Sequence, residues 1–546
     1  MKNFILIIFF AFLNSALCAQ EPLARFYFLQ LKDKNNTAFS INNPAQYLSN
    51  KALVRRAAMN IPIDSTDLPV NLFYVNQISS TGAEIFAVSK WQNGVTVRLA
   101  DTATVLPLLR TFNFISKIEY TGLDVIDINS LKSNKYSRML SVESANSEYG
   151  NGLTPLVQLN GKPLHDRGFR GAGITIAVID GGFTNADTHI AFDSLRVSGR
   201  LLGTHDFAYR TDNVFNRATH GALVLSTMAS NVPDSLIGTA PDANYWLLMS
   251  ERMQGEYPVE ADLWISAAEF ADSVGADIIT TSLGYAVFND SLLNYRYSDL
   301  DGQTIRASRA ACQAAEKGIV VFNAAGNEGK STWHYINAPA DADKIISVGA
   351  VKSDSTTADF SSFGPTADGR IKPELCAMGF NTAVANCNTT DRFSYSSGTS
   401  LSTPVLAGMT ACLLQALKAK NINYNPEKIR NTLIESASIF PQSTDQSGYG
   451  IPNFETAFYS FLYSKNEEIR QNNFFKINYL GNKILINFEN KNVKNSIYIF
   501  DISGRILQHI STDNGEISLN KNIFPQGIFL LKINSDKYSA VKKVIN

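Results

Sequence analysis

The sequence predicts an α/β fold: a parallel sheet with helices on both faces, preceded by a small α+β segment and followed by a small β-sandwich. Three observations predict it. Short apolar runs at 245–249, 278–281, 319–322 and 345–348 alternate with helical patterns at 261–274 and 304–316, the order that builds a parallel sheet covered on both sides. The stretch ahead of residue 150 carries a separate mixed pattern, with strand-like runs at 25–31 and 95–99 and a helical stretch at 44–60. After Tyr463 the composition turns to Asn and Lys, and short strand-like runs appear at 474–479, 484–488, 497–500 and 528–533.

Taken in chain order, the first element is a leader. Lys2 precedes ten apolar residues, 4–13, and then the small residues Ser15, Ala16 and Ala19. This reads as a secretory signal peptide, residues 1–19, cut near Cys18 or Ala19, and it is too short to span a bilayer. A lipid anchor on Cys18 is the alternative, which Leu17 directly before it disfavours. No other stretch reads as transmembrane, so no stable transmembrane anchor is expected. The polar, Ser- and Asn-rich stretch 132–151 reads as a linker and a place for proteolytic processing.

At 546 residues the chain is too long for one core. With 45% hydrophobic and 18% charged residues it is globular. A net charge of -1 gives no reason to expect nucleic acid or an anionic membrane as partner. If Cys18 leaves with the leader, Cys312, Cys376, Cys387 and Cys412 remain. An even number in an exported chain permits disulfides with three connectivities. Cys376 and Cys387, which flank a short loop, are the preferred pair, and Cys312 and Cys412 read as buried thiols.

Four segments carry chemistry. Asp180 ends the apolar run 174–179 and is followed by Gly181 and Gly182, which puts a carboxylate at the sheet edge where α/β proteins hold ligands; an Asp capping a turn is the plain alternative. His220 precedes the small, apolar, helix-like stretch 222–229. Of the other histidines, His189 and His205 read as solvated loop residues, and His165, His334 and His509 as exposed, so His220 is the best base. Asn327 follows the strand 319–322 and the small residues Ala324, Ala325 and Gly326. An amide there can donate to a developing oxyanion or simply occupy a turn. Ser400 lies in the run 397–404, ahead of the apolar helix 405–418 with Pro404 in its first turn. A hydroxyl at a helix N-terminus faces the positive end of the dipole, though a Ser-rich helix cap would look the same.

Together these segments closely resemble the subtilisin-like serine peptidases, the subtilases. The chain order Asp, His, Ser is the order of that family, and the resemblance extends to Ser282, Leu283 and Gly284, to Gly238, Ala240 and Pro241, and to 360–365. It covers roughly residues 150–460 and implies a secreted serine endopeptidase acting on proteins or peptides. Asp180, His220 and Ser400 would be the triad and Asn327 the oxyanion residue. Ser282, Leu283 and Gly284 would pair with extended substrate. The wall for the residue on the acyl side of the scissile bond would lie around 282–285 and after Asn327, where Trp333 and His334 are unusual.

Gly181, Leu223, Leu401 and Ser402 depart from the family's usual residues without removing a reacting group. The related sedolisins would want Glu for His220 and Asp for Asn327. No organic cofactor is required. The resemblance makes calcium plausible, with Asp341 and Asp343 as oxygen donors but no assigned site.

The segment 20–140 resembles the propeptides of exported subtilases, 141–463 is the expected catalytic domain, and 470–546 resembles the C-terminal sorting domain of the type IX secretion system. That last resemblance rests on the run 499–505, on 527–533 and on Lys542 and Lys543, and implies the secretion machinery as a partner and a secreted or cell-surface location. A carbohydrate-binding or stabilising β-domain is the alternative for the tail. A catalytically silent, surface-exposed binding protein on the same fold is the alternative for the whole.

Overall fold

The computed structural model describes residues 23–125, 140–141, 147–468 and, with breaks, 475–545. The expected leader and most of the 132–151 linker lie outside the described residues.

The central element is a seven-stranded sheet. Across it run Leu375–Met378, Ile346–Val351, Val320–Ala324, Ile278–Thr281, Thr175–Asp180, Asn244–Met249 and Leu201–Asp206, and every pairing is parallel. The chain leaves the Thr175–Asp180 strand for one edge, returns to the strand beside it, and then builds outward on the other side. That reversal opens a crevice at the carboxyl end of Thr175–Asp180, the place where open α/β sheets bind ligands.

The run at 174–179 is apolar without alternation because both faces of its strand are covered. Ile176 and Val178 join one core with Leu225, Val405 and Leu413, while Ala177 and Ile179 join the other with Trp264, Ala310 and Ile279. The first face is capped by the helices His220–Ala229 and Thr399–Ala419. The second is capped by Val259–Val274 and Arg306–Glu316. Thr399–Ala419 is, among the described residues, the one helix long and apolar enough to cross a membrane, and 94% of its apolar window is buried inside the protein.

The segment before residue 125 forms a four-stranded antiparallel sheet in the order Glu84–Ser89, Gly94–Leu99, Arg25–Leu31, Ile115–Leu123. The expected helix at 44–60 is broken: a short 3-10 turn, Pro44–Gln46, is followed by a helix, Asn50–Ala58, whose N-terminus is capped by the Ser49 side chain accepting from Ala52 N. This unit docks on the two helices of the second face. Glu269 accepts from Ser89 Oγ at 2.6 Å, Lys90 N at 2.9 Å and Trp91 N at 3.0 Å. Arg55 and Arg56 reach the buried Asp272 at 2.5 and 2.9 Å, and Arg306 bridges Asp262 at 2.8 Å and Glu119 at 2.7 Å.

The C-terminal part has a three-stranded and a four-stranded antiparallel sheet. Ile484, Ile486, Ile497, Ile499 and Leu531 share their common core, so the tail is a β-sandwich. Between it and the central domain runs the helix Phe454–Glu468.

Candidate active site

His220, Asn327 and Ser400 line one cleft at the carboxyl ends of the central strands, with Asp180 buried against His220. Asp180 is the last residue of its strand, and its Oδ1 accepts from Gly181 N at 2.7 Å and lies 2.6 Å from His220 Nδ1. A carboxylate oxygen can only accept, so Nδ1 carries the proton and Nε2 is the ring nitrogen left to take one. Asp180 is fully buried and His220 nearly so, which keeps water from competing for that bond.

His220 opens its helix rather than preceding it. Gly221 lets the helix come this close: a Cβ there would fall 2.9 Å from Asp180 Cβ and 2.7 Å from Gly182 O.

Ser400 is the second residue of the Thr399–Ala419 helix. Pro404 therefore sits past the first turn, not in it as expected. The Pro404 nitrogen has no proton to give the Ser400 carbonyl one turn back; Ser282 Oγ takes that carbonyl instead, at 2.8 Å. The Ser282 hydroxyl thus ties the segment after Ile278–Thr281 to the start of the helix.

Asn327 is held by the same turn. Its Oδ1 accepts from Thr399 N at 2.8 Å and Thr399 Oγ1 at 3.1 Å. Two donors on one end identify that end as the oxygen, so the NH2 group faces away from Thr399. A Cβ built on Gly398 would lie 2.8 Å from Ser400 Oγ and 3.5 Å from Asn327 Nδ2, so hydroxyl and amide both lie close to that glycine. Thr399 was not singled out in the sequence, although a hydroxyl immediately before the Ser at a helix start is a visible signal.

The cleft has a volume of about 380 Å³ and is also bordered by Leu283, Gly284, Glu251 and Met253. Glu251, Glu256 and Glu260 bring carboxylate oxygens within 4.8 Å of one another. Glu251 Oε1 accepts from Tyr285 OH at 2.9 Å and Glu260 Oε1 from Arg252 N at 2.6 Å. Burial first, and then Glu251, push the Tyr285 phenol well above its ordinary range, so it remains the donor. Asp341 is buried and accepts from Ser308 Oγ at 2.5 Å and Gly302 N at 2.8 Å, while Asp343 lies 4.0 Å from the Arg370 guanidinium.

Other expectations are corrected. Cys376 and Cys387 are both free and buried. Cys376 Sγ faces Ser447 O at 3.4 Å and Cys387 Sγ faces Ala385 O at 3.7 Å. Burial pushes both thiols up to about 12, which leaves them protonated and inert. His165 and His189 are buried rather than exposed: His165 Nε2 lies 3.0 Å from Thr239 O, and His189 Nε2 lies 2.9 Å from Arg392 O. His334 is half-buried and stacks on Phe363 at 4.1 Å.

Comparison with known proteins matches three stretches of the chain. The family model described as the subtilase family matches residues 171–458. A model for the peptidase S8 propeptide domain of Bacteroidota matches 26–138, and one for a secretion system C-terminal sorting domain matches 480–546. The chain is 28% identical over 305 residues to subtilisin DY of Bacillus licheniformis, covering 56% of this chain and 96% of the relative. It is 26% identical over 355 residues to subtilisin NAT of Bacillus subtilis subsp. natto, covering 64% and 82%. Serine protease AprX of Bacillus subtilis is 29% identical over 290 residues, covering 48% and 61%.

Proposed function

Since the chain belongs to the subtilase family and is a subtilisin-like serine endopeptidase, we propose that Asp180, His220 and Ser400 are its catalytic triad and Asn327 its oxyanion donor. The observation that carries this reading is the hydrogen bond between His220 Nδ1 and Asp180 Oδ1 at 2.6 Å, in the cleft that Ser400 lines.

In the proposed reaction Ser400 Oγ attacks the carbonyl carbon of a peptide bond while His220 Nε2 takes its proton. The carbonyl π electrons move to oxygen, and the Asn327 NH2 and the Ser400 backbone N–H donate to that oxyanion. His220 then gives the proton to the leaving amine as the C–N bond breaks. Water, deprotonated by the same nitrogen, releases the acyl group and restores Ser400. Asp180 holds the imidazole in the Nδ1–H tautomer throughout. Ser282, Leu283 and Gly284 are proposed to hold the extended substrate beside Ser400.

We further propose that the chain is made as a preproenzyme, with a leader at 1–19, a propeptide at 20–140, a catalytic domain at 141–463 and a sorting domain at 470–546. The leader would serve inner-membrane export, and the sorting domain passage of the outer membrane by the type IX machinery, giving a secreted or cell-surface enzyme. The docked N-terminal sheet, with Asp124 paired to Arg252 on the cleft wall, supports the propeptide reading. Deleting residues 472–546 in the native host should leave activity in the periplasm; undiminished activity in the medium would refute the sorting role.

The triad is tested by Ser400→Ala, which removes one oxygen and leaves the packing. The purified variant should retain its fold and lose peptide hydrolysis, and full residual activity would end the assignment.

A further inference from the structure

The strand Val320–Ala324 is buried along its whole length, and a strand covered on both faces is expected to be apolar throughout. Val320, Val321 and Phe322 follow that rule; Asn323, fully buried, does not. Asn is among the residues depleted in strands, and sequences break such local rules mostly at functional sites. The Asn323 amide is used at one end only. Nδ2 donates to Leu283 O at 3.2 Å and to Ala324 O at 2.8 Å, while Oδ1 has no partner among the described residues. Turned over, the oxygen would face two carbonyls, so the orientation is set.

The contact with Leu283 lies where the sheet pairing stops. Thr281 and Asn323 are the last partners in the ladder between Ile278–Thr281 and Val320–Ala324. Beyond them the chain borders the cleft at Ser282, Leu283 and Gly284. It is paired again at Tyr285, whose N–H donates to Ala338 O at 2.8 Å and whose carbonyl accepts from Ala338 N at 3.1 Å. In between, Leu283 and Gly284 make no main-chain to main-chain hydrogen bond among the described residues. Two side-chain contacts hold this span: Ser282 Oγ donates to Ser400 O, and Asn323 Nδ2 donates to Leu283 O.

We propose that Asn323 is a positioning residue for the reaction. It extends the ladder by one side-chain bond, draws the Leu283 carbonyl toward the sheet, and leaves the main-chain groups of Ser282 and Gly284 turned to the cleft for an extended substrate. The inference rests on the roles given above to Ser400 and to 282–284. Successive carbonyls of extended backbone point to opposite sides, so fixing one fixes its neighbours. A span held in advance loses less freedom when a peptide pairs with it. The gain is realised with a substrate long enough to pair along the span; a single residue at the scissile bond draws little from it.

The test compares two uncharged anilide substrates with the same residue at the scissile bond, a single acylated residue and a tetrapeptide, on enzyme matured from the full chain. Wild-type kcat/KM should be higher for the tetrapeptide. That advantage should fall about fivefold or more in Asn323→Val and in Asn323→Ala, the worth of one lost hydrogen bond, while Ser400 still reacts with a fluorophosphonate. Val320→Ala opens a void in the core on the strand's other face, whereas Leu283 packs on the second core; it should keep the advantage within about twofold of wild type. An advantage kept within about twofold in an Asn323 variant that still labels would overturn the proposal. So would an equal fall in Val320→Ala, the mark of a general loss of stability, or a wild type that gains nothing from the longer peptide. Failure of both Asn323 variants to fold would show that the amide serves the fold, and would overturn it as well. A wild-type enzyme that neither labels nor cleaves would instead overturn the peptidase roles on which the inference rests.

Discussion

Asp180 Oδ1 lies 2.6 Å from His220 Nδ1, and the carboxylate is wholly removed from solvent. The bond sets the tautomer, so an amide in its place should hold the ring and reverse its proton. Asp180→Asn is expected to fold normally and to lose about 10⁴ in kcat with little change in KM. Steady-state kinetics on one peptide decide it; a loss below tenfold would mean that Asp180 does not orient the base.

The Asn327 amide is turned by Thr399, whose N–H and Oγ1 both donate to Oδ1, at 2.8 and 3.1 Å. Asn327→Ala should lower kcat by roughly 10²–10³, the magnitude established for such a donor in a subtilisin, and leave KM nearly unchanged. Thr399→Val removes only one of the two orienting donors and should cost less. Equal losses in kcat and in substrate affinity for Asn327→Ala would indicate a structural role instead.

Asp272 is buried, and its cationic partners, Arg55, Arg56 and Lys90, all come from the N-terminal segment. Removing one side of a buried pair typically costs about 3–5 kcal/mol. Asp272→Ala should therefore weaken inhibition of the mature enzyme by that segment, supplied as a separate chain, by roughly 10² or more. Peptidase activity without the segment should be unaffected. Inhibition constants within threefold of each other would show that this cluster does not hold the segment in place.

His165 ties stability to pH. Burial pushes its imidazole down to about 4 from the ordinary 6.5. The unfolded chain takes up this proton near 6.5 while the folded protein resists until about 4. The contribution is thus full above the first value and falls by about 3 kcal/mol as the pH drops through the second. Denaturant unfolding of Ser400→Ala, which cannot digest itself, should show this loss between neutral pH and pH 4, and adding His165→Gln should flatten it. Parallel pH profiles for the two proteins would exclude His165 as the source.

Much of the site was legible because its residues sit where elements begin or end. Asp180 closes a continuous apolar run, His220 and Ser400 open apolar helices, and small residues precede Asn327, so local sequence carried each position. What stayed hidden depends on groups distant in the chain. His165 and His189 have polar sequence neighbours, yet each is buried against the backbone carbonyl of a residue far along the chain, Thr239 or Arg392. The strands Leu201–Asp206 and Leu375–Met378, the two edges of the sheet, are not among the apolar runs that the sequence pattern marks, and the first is not continuously apolar. The pairing of Cys376 with Cys387 was inferred from their nearness in sequence, but each thiol is buried against a backbone carbonyl instead.

Ser400 is proposed as a nucleophile activated by His220, and not as a helix-cap serine in a silent binding protein. Reacting the matured enzyme with a fluorophosphonate and locating the modified residue by mass spectrometry addresses it directly. A stoichiometric adduct is expected on Ser400, none in Ser400→Ala, and labelling slowed by orders of magnitude in His220→Ala. An unlabelled wild-type enzyme, or an adduct on another serine that survives Ser400→Ala, would contradict it.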